Sequence, residues 1–272
     1  MFKIFLNTDN IKQTNIHSDI SYLSNPDFLC IVGSKLYGTN TEDSDCDIRG
    51  FTFPTPEYLL GIKRWELYES TYKTEKQDLV IWSVDKFFRM LLNGSTIAFE
   101  MLSCRESFII RQSELAKEIV KWRKCFVSEK IIKSILGYAM SEWRKTLGEI
   151  TRDLGEQRKE HIKQVGYSYK NAYHAIRILQ EGMDLANQFY ISFPCQNAEF
   201  LKAVKIGKVS FKDAEDTYKY RLNQLEERLH SGTIAKELDF DFLNTLLCRL
   251  NLKNIFSNLI STNIFDKELF TL

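Results

Sequence analysis

Two aspartates at i and i+2, Asp45 and Asp47, stand in Ser44-Asp45-Cys46-Asp47-Ile48-Arg49-Gly50, eleven residues after a Gly33-Ser34 pair. On a strand that spacing carries both carboxylates to one face and Cys46 to the other. Carboxylates held side by side repel one another, and a divalent cation relieves the repulsion. A hard ion such as Mg²⁺ or Mn²⁺ takes oxygen ligands and shares them with substrate phosphates. A Gly-Ser turn offers those phosphates backbone N–H groups and a hydroxyl, and glycine lets the backbone approach closely. Taken alone, Glu42-Asp43-Ser44-Asp45 is an acidic turn solvated at a strand start. With Gly33-Ser34 upstream, the pattern reads as a phosphoryl-transfer site whose first metal ligands are Asp45 and Asp47. Arg49, two residues beyond Asp47, shares its face on a regular strand, where it neutralises carboxylates, contacts phosphate or forms a structural salt bridge.

The elements that must position these groups are legible around them. Phe28–Val32 is a buried-strand pattern, and Ser34–Tyr37 starts a helix whose N-terminus faces the phosphates. Residues 39–44 are a polar loop, and Asp45–Phe53 alternates as a strand that Pro54 and Pro56 end. A charged stretch, 63–76, precedes a strong strand, Asp78–Ser83. Ser83 reads as the N-cap of a helix stopped at Asn93-Gly94, and Ser95 as the cap of a second helix. From Ser113 the periodicity turns helical: Leu115, Ile119 and Trp122 share one face, and Ile131, Ile135, Tyr138 and Met140 another. Further helices are expected over Tyr167–Leu185 and Phe211–Leu229. Residues 1–27 read as a peripheral opening segment. The change of pattern near residue 110 predicts an α+β fold: an α/β unit with a small mixed sheet over 1–110, and a mostly helical unit over 111–272 that closes a cleft.

The ordered set Gly33-Ser34, Tyr37-Gly38-Thr39 and Ser44-Asp45-Cys46-Asp47-Ile48-Arg49-Gly50 resembles the catalytic signature of the DNA polymerase β-like nucleotidyltransferase superfamily. Within it, the chain is most similar to the nucleotidyltransferases associated with bacterial RNA repair and found in phages. The resemblance is dense over residues 30–50 and weaker through Phe99-Glu100-Met101-Leu102 and from Tyr167 to Leu179. It implies that Gly33 and Ser34 cradle a nucleoside triphosphate, that Asp45 and Asp47 hold metal, and that a third carboxylate on a neighbouring strand completes the site. Asp78 lies where that third acid falls, with Glu75 and Asp85 as competitors. The resemblance also implies that Tyr167–Arg177 carries a lysine and a histidine, Lys170 and His174, towards the cleft. Lys170 is then a triphosphate ligand, and Tyr173 or Tyr169 a base-stacking ring. Helical spacing places Lys170, Tyr173, His174 and Arg177 on one side and Ala172, Ala175, Ile176 and Leu179 on another. Glu100 matches a recurrent acid of the family and fits a structural role.

The resemblance implies transfer of a nucleoside monophosphate from an NTP to an acceptor hydroxyl, with RNA ends as the leading acceptor. The alternatives are a protein or small-molecule acceptor, or a nucleotide-binding protein without catalysis. With 37 basic and 36 acidic residues among 272, the chain has no global attraction for nucleic acid. Local patches remain, and Arg152, Arg158, Lys159, His161, Lys163 and Lys170 cluster in sequence with Asp153, Glu156 and Glu160 interspersed. Hydrophobic content of 44% suits a packed core. Six scattered cysteines, without a C-x-x-C pair, suit reduced thiols in a cytoplasm. No signal peptide, membrane span or obligate protein partner is expected. Trp65, Trp82, Trp122 and Trp143 are expected to be core or cleft-lining residues.

Overall fold

A computed structural model describes residues 25–62, 69–73, 77–152 and 154–261. Glu75, Trp65, Asp153 and most of the opening segment lie outside the described residues, as does the side chain of His161.

The fold is α+β. Five strands, β1 (Phe28–Val32), β2 (Cys46–Thr52), β3 (Glu69–Lys73), β4 (Gln77–Ser83) and β5 (Ile109–Gln112), form one mixed sheet in the order β3-β4-β2-β1-β5. Only β2 and β4 pair in parallel; β1–β2, β1–β5 and β3–β4 are antiparallel. Side-chain alternation sorts the two faces. Phe28, Cys30, Val32, Phe51, Val80 and Trp82 face the main core, whereas Leu29, Ile48, Leu79 and Ile81 form a smaller cluster on the opposite face. Phe51 stacks between Phe28 (5.4 Å) and Phe87 (4.4 Å), which pins β2 to the helices.

The single-turn helix α1 (Gly33–Tyr37) follows β1, and α2 (Pro56–Leu59) follows β2. Helix α3 (Val84–Leu92) starts where expected, with the Ser83 hydroxyl accepting from the Lys86 N–H at 3.2 Å. Helix α4 (Thr96–Leu102) also forms after Ser95, but the Ser95 side chain makes no capping bond. Then come α5 (Glu114–Lys121), α6 (Glu129–Thr146), α7 (Glu156–Val165), α8 (Tyr169–Gln188), α9 (Ala198–Lys205), α10 (Phe211–His230) and α11 (Phe240–Ser261). Strand β5 spans the change of pattern near residue 110, and the main core runs without a break from Phe28 to Leu250. Helix α8 is the axis of the helical part, its buried face covered by α6, α9 and α10. On α6 the buried side is Ile131, Ile132, Ile135, Ala139 and Trp143, while Tyr138 and Met140 are exposed. That corrects the face read from periodicity: the stripe turns through Ala139 and Trp143 because Trp143 stacks on Tyr218 of α10, with ring centroids 4.1 Å apart. Trp82 is buried, and Trp122 packs edge-on to Phe242 at 5.2 Å. Among the described residues no helix is long and apolar enough to cross a membrane.

Candidate active site

Strand register brings the acids together. Asp47 of β2 is paired directly with Asp78 of β4 on one side and with Val32, the last residue of β1, on the other. Alternation puts Asp47 and Arg49 on the same side of the sheet as Phe51, which is the side the helices cover. Arg49 bridges the two carboxylates. Its Nη2 lies 3.0 Å from Asp78 Oδ2 and 3.6 Å from Asp47 Oδ1. Its Nη1 donates to the carbonyls of Ile48 (2.9 Å) and Asp78 (2.7 Å). Asp45 is exposed and stands one residue ahead of β2, which begins at Cys46. Burial raises the Asp47 pKa; Arg49 opposes this, and Asp78, Asp45 and Glu100 add like-charge repulsion. Of the other acids considered, Asp85 lies in the first turn of α3, beyond the far end of β4, and feels the charge of Arg89.

Gly33 is fitted to this carboxylate. Its φ is +71°, and a β-carbon built on it stands 2.2 Å from Asp47 Oδ2. The carboxylate of Asp47 therefore occupies the space that a side chain here would fill. Ser34 is half-buried in α1, and its carbonyl accepts from the Thr39 N–H at 2.9 Å. Gly38 closes α1 at φ +76°, where a β-carbon meets Pro194 at 2.9 Å. The turn is clamped there, with the Cys195 N–H donating to the Tyr37 carbonyl at 3.1 Å.

Helix α8 reaches the same turn. The buried Thr39 hydroxyl is 2.9 Å from the Tyr173 hydroxyl. Tyr173 is itself buried, so its ring braces the Tyr37-Gly38-Thr39 turn from inside. One turn earlier, Lys170 is exposed at the start of α8. That start is fixed by Ser168, whose hydroxyl accepts from the Asn171 N–H and donates to Asn171 Oδ1 at 2.7 Å. His174 is held neutral: burial, then Arg177, Lys170, Arg158 and Lys205, push its pKa well down. Arg177 does not join Lys170 on the open side. It points inward and donates to Glu100 Oε1 at 2.9 Å and to Glu181, with its guanidinium 4.1 Å above the Tyr37 ring. Tyr37 in turn donates to Glu100 Oε2 at 2.6 Å. Glu100 is thus a buried brace between α1, α4 and α8.

Lys205, which the sequence reading did not single out, belongs to the site. Its ammonium is 5.8 Å from the centroid of the Tyr173 ring. Burial and the like charge of Lys170 lower its pKa, while Asp47 acts against them. Among the described residues neither Lys170 nor Lys205 forms an ion pair. The only signal in the sequence is an amphipathic run in which Leu201 and Val204 are buried and Lys202 and Lys205 flank them. In the basic segment before α8, Lys159 lies on Glu156 at 2.7 Å and Lys163 near Glu160 at 3.9 Å.

No group of three His, Cys, Asp or Glu side chains is gathered tightly enough to enclose a metal ion among the described residues. The donors present nonetheless fit a hard divalent cation. Asp47 and Asp78 supply carboxylate oxygens from adjacent strands in direct register, and such an ion takes its remaining ligands from water and phosphate.

A family model described as RNA repair pathway DNA polymerase beta family matches residues 14–251. Over 122 residues the chain is 28% identical to an uncharacterized 38.9 kDa protein in the nrdC-mobD intergenic region of Enterobacteria phage T4. That match covers 42% of this chain and 36% of the phage protein, so it spans about a third of its curated relative's length. Among solved structures, a nucleotidyltransferase-like protein from Exiguobacterium sibiricum 255-15 matches at 14% identity and a TM-score of 0.28, over 77% of this chain and 71% of that one.

Proposed function

Because the chain belongs to the RNA repair pathway DNA polymerase beta family, we propose that it is a divalent-metal-dependent nucleotidyltransferase. The reaction is transfer of a nucleoside monophosphate from an NTP to an acceptor hydroxyl with release of pyrophosphate, and an RNA end is the leading acceptor. The observation that carries this reading is the in-register pair Asp47–Asp78, with Asp47 packed against Gly33 of the Gly-Ser turn.

In this reading Asp47 and Asp78 hold Mg²⁺ or Mn²⁺, with Asp45 reaching it from the exposed end of the loop. When bound, the ion acidifies the attacking hydroxyl and offsets charge on the departing pyrophosphate. The rest falls to the chain. Gly33 and Ser34 receive the β- and γ-phosphates, and Lys170 and Lys205 neutralise them from α8 and α9. Asp78 accepts the proton of the acceptor hydroxyl as its oxygen bonds to the α-phosphorus and the bond to the bridging oxygen breaks. Arg49 orients Asp78, and Tyr173 holds the Thr39 turn against the nucleotide. The helical part, from α5 to α11, closes over the cleft and excludes water.

One observation favours a second reading. The Arg49–Asp78 bridge satisfies one of the acids internally, as in a nucleotide-binding protein without catalysis. A panel of tRNA, nicked RNA, proteins and aminoglycosides, incubated with Mg²⁺ and α-labelled ATP, CTP, GTP or UTP, separates the readings. Label on RNA ends is the expected result. Label only on protein or small molecules overturns the RNA assignment. Tight NTP binding with no pyrophosphate released from any pairing favours the non-catalytic reading.

A further inference from the structure

Far from the paired acids the molecule carries a second concave site, a groove of about 530 Å³ between the end of α5 and the turn that follows α8. Its cations are Lys117, Lys121, Arg123 and Lys124, and no carboxylate lines it. Lys117 is offset by Glu114 at 2.5 Å, whereas Lys121, Arg123 and Lys124 form no ion pair among the described residues. The opposite wall is aromatic: Phe189 is 39% and Tyr190 37% exposed, and the Arg123 guanidinium lies 4.8 Å from the Tyr190 ring centroid.

This wall is built rather than loose. Phe189 closes α8 with φ +65°, the only non-glycine residue with positive φ among those described, and its N–H donates to the Leu185 carbonyl at 3.0 Å. Glycine is the usual residue at such a helix end, so an aromatic side chain is held here against the backbone's preference. The turn is tied down on both sides. Gln188 donates to the Tyr190 carbonyl (3.2 Å) and the Ser192 hydroxyl (2.7 Å), and the Ile191 N–H donates to the Ser103 hydroxyl at 2.9 Å. Rigid aromatic faces beside unpaired cations match the two chemical needs of a single-stranded nucleic acid: π-faces for unstacked bases and positive charge for phosphates.

We propose that this groove binds single-stranded nucleic acid, with bases on Phe189 and Tyr190 and phosphates on Lys121, Arg123 and Lys124. Helix α8 separates it from Lys170 by about 30 Å, at 1.5 Å rise per residue, and Gln112 of β5 lies beside Phe28, at the end of β1 away from Gly33. The groove therefore anchors the body of a strand rather than its reacting end. As a site for the acceptor it rests on the proposed transferase reading; as a binding site it does not.

The test is fluorescence anisotropy of an unstructured, labelled RNA of about 16 nucleotides, the upper end of the span single-strand grooves occupy, with no NTP or metal present. Salt-sensitive binding is expected. Phe189→Gly, which suits the backbone at that φ, combined with Tyr190→Ala, is expected to weaken binding about tenfold or more. Lys121→Ala with Lys124→Ala is expected to reduce the slope of log affinity against log salt by about 1.4, from two phosphate contacts at about 0.7 each. Both pairs should keep wild-type NTP affinity, which shows that they fold. Wild-type protein that binds no RNA, or folded variants that bind it as wild type does, overturn the proposal. So does loss with the lysine pair alone, which leaves a charged surface without base stacking. RNA binding that depends on the groove, in a protein that labels no RNA, keeps this inference and removes the RNA-acceptor reading.

Discussion

Gly33 and Asp47 are complementary in shape: the β-carbon that Gly33 lacks is the atom that would collide with Asp47 Oδ2, at 2.2 Å. The relationship links two motif residues fourteen positions apart, one opening α1 directly after β1 and the other on the strand beside it. It gives the glycine a role beyond turn geometry, because the carboxylate of Asp47 sits in the space that a side chain at this position would fill.

Gly33→Ala tests this link. A non-glycine residue in the left-handed region costs about 1–2 kcal/mol, so the variant should fold with a lowered melting temperature. Its transfer activity should fall by about 100-fold or more, the scale of effect that a misplacement of about 1 Å at a reacting centre produces. A variant that loses stability and retains activity shows that the space is not used.

Asp47→Asn should separate stability from function. The Asp47 pKa is raised in the folded protein, first by burial and then, against Arg49, by Asp78 and Asp45. The folded state therefore holds this proton more tightly than the unfolded chain does, and stability declines as pH rises through the interval between the two pKa values. Asparagine removes that decline. Metal-free Asp47→Asn should melt at or above the wild-type temperature at neutral pH, and its thermal curves should be flatter between pH 4 and 7, a window that starts near the ordinary carboxylate pKa. A melting temperature well below wild type contradicts the assignment of Asp47 as an acid whose ionised form burial and its like-charged neighbours disfavour.

The buried Tyr37–Glu100–Arg177–Glu181 group should respond to charge rather than shape. Burial raises the Glu181 pKa to about 8, against the pull of Arg177 and with the push of Glu100, and Glu181 Oε2 has no hydrogen-bond partner among the described residues. Arg177→Met leaves the buried Glu100 and Glu181 carboxyl groups without their cation and should destabilise by about 3–5 kcal/mol. Glu181→Gln imitates the protonated acid. It should be tolerated at pH 7 and should remove the part of the stability loss that wild type shows as pH climbs towards 8. Chemical denaturation at pH 6, 7 and 8.5 checks both.

Lys170→Ala and Lys205→Ala should each raise KM for the NTP, and the effect of Lys205 should survive in the Lys170 background. The two lysines come from different helices, and in the proposed reading both meet the triphosphate; neither forms an ion pair among the described residues. Unchanged KM in Lys205→Ala, with the fold intact, removes Lys205 from the site.

The sequence showed most clearly what is encoded locally. The strands carrying Phe28–Val32 and Leu79–Ser83 are continuous apolar runs with clear ends, and Ser83 caps its helix as a short-range signal should. The Asp47–Asp78 pairing was anticipated only through the family pattern, since register between β2 and β4 depends on the intervening chain. Arg177 falls on the polar side of α8 by spacing, yet it is buried, because Glu100 and Glu181 supply the partners that make burial tolerable. Lys205 was not legible at all: its role follows from how α9 packs on α8, which places it over Tyr173. Tyr138 and Met140 were misassigned to the core because apolar identity outweighed phase on α6.

The most direct test of the central claim is transfer from NTP labelled separately at the α- and γ-phosphates, measured with Mg²⁺ in wild type and in folded Asp47→Asn and Asp78→Asn variants. The α-label should pass to the acceptor and the γ-label should leave as pyrophosphate, with both variants silent. Transfer of the γ-label, or full activity in either variant, contradicts a nucleotidyltransferase site built on Asp47 and Asp78.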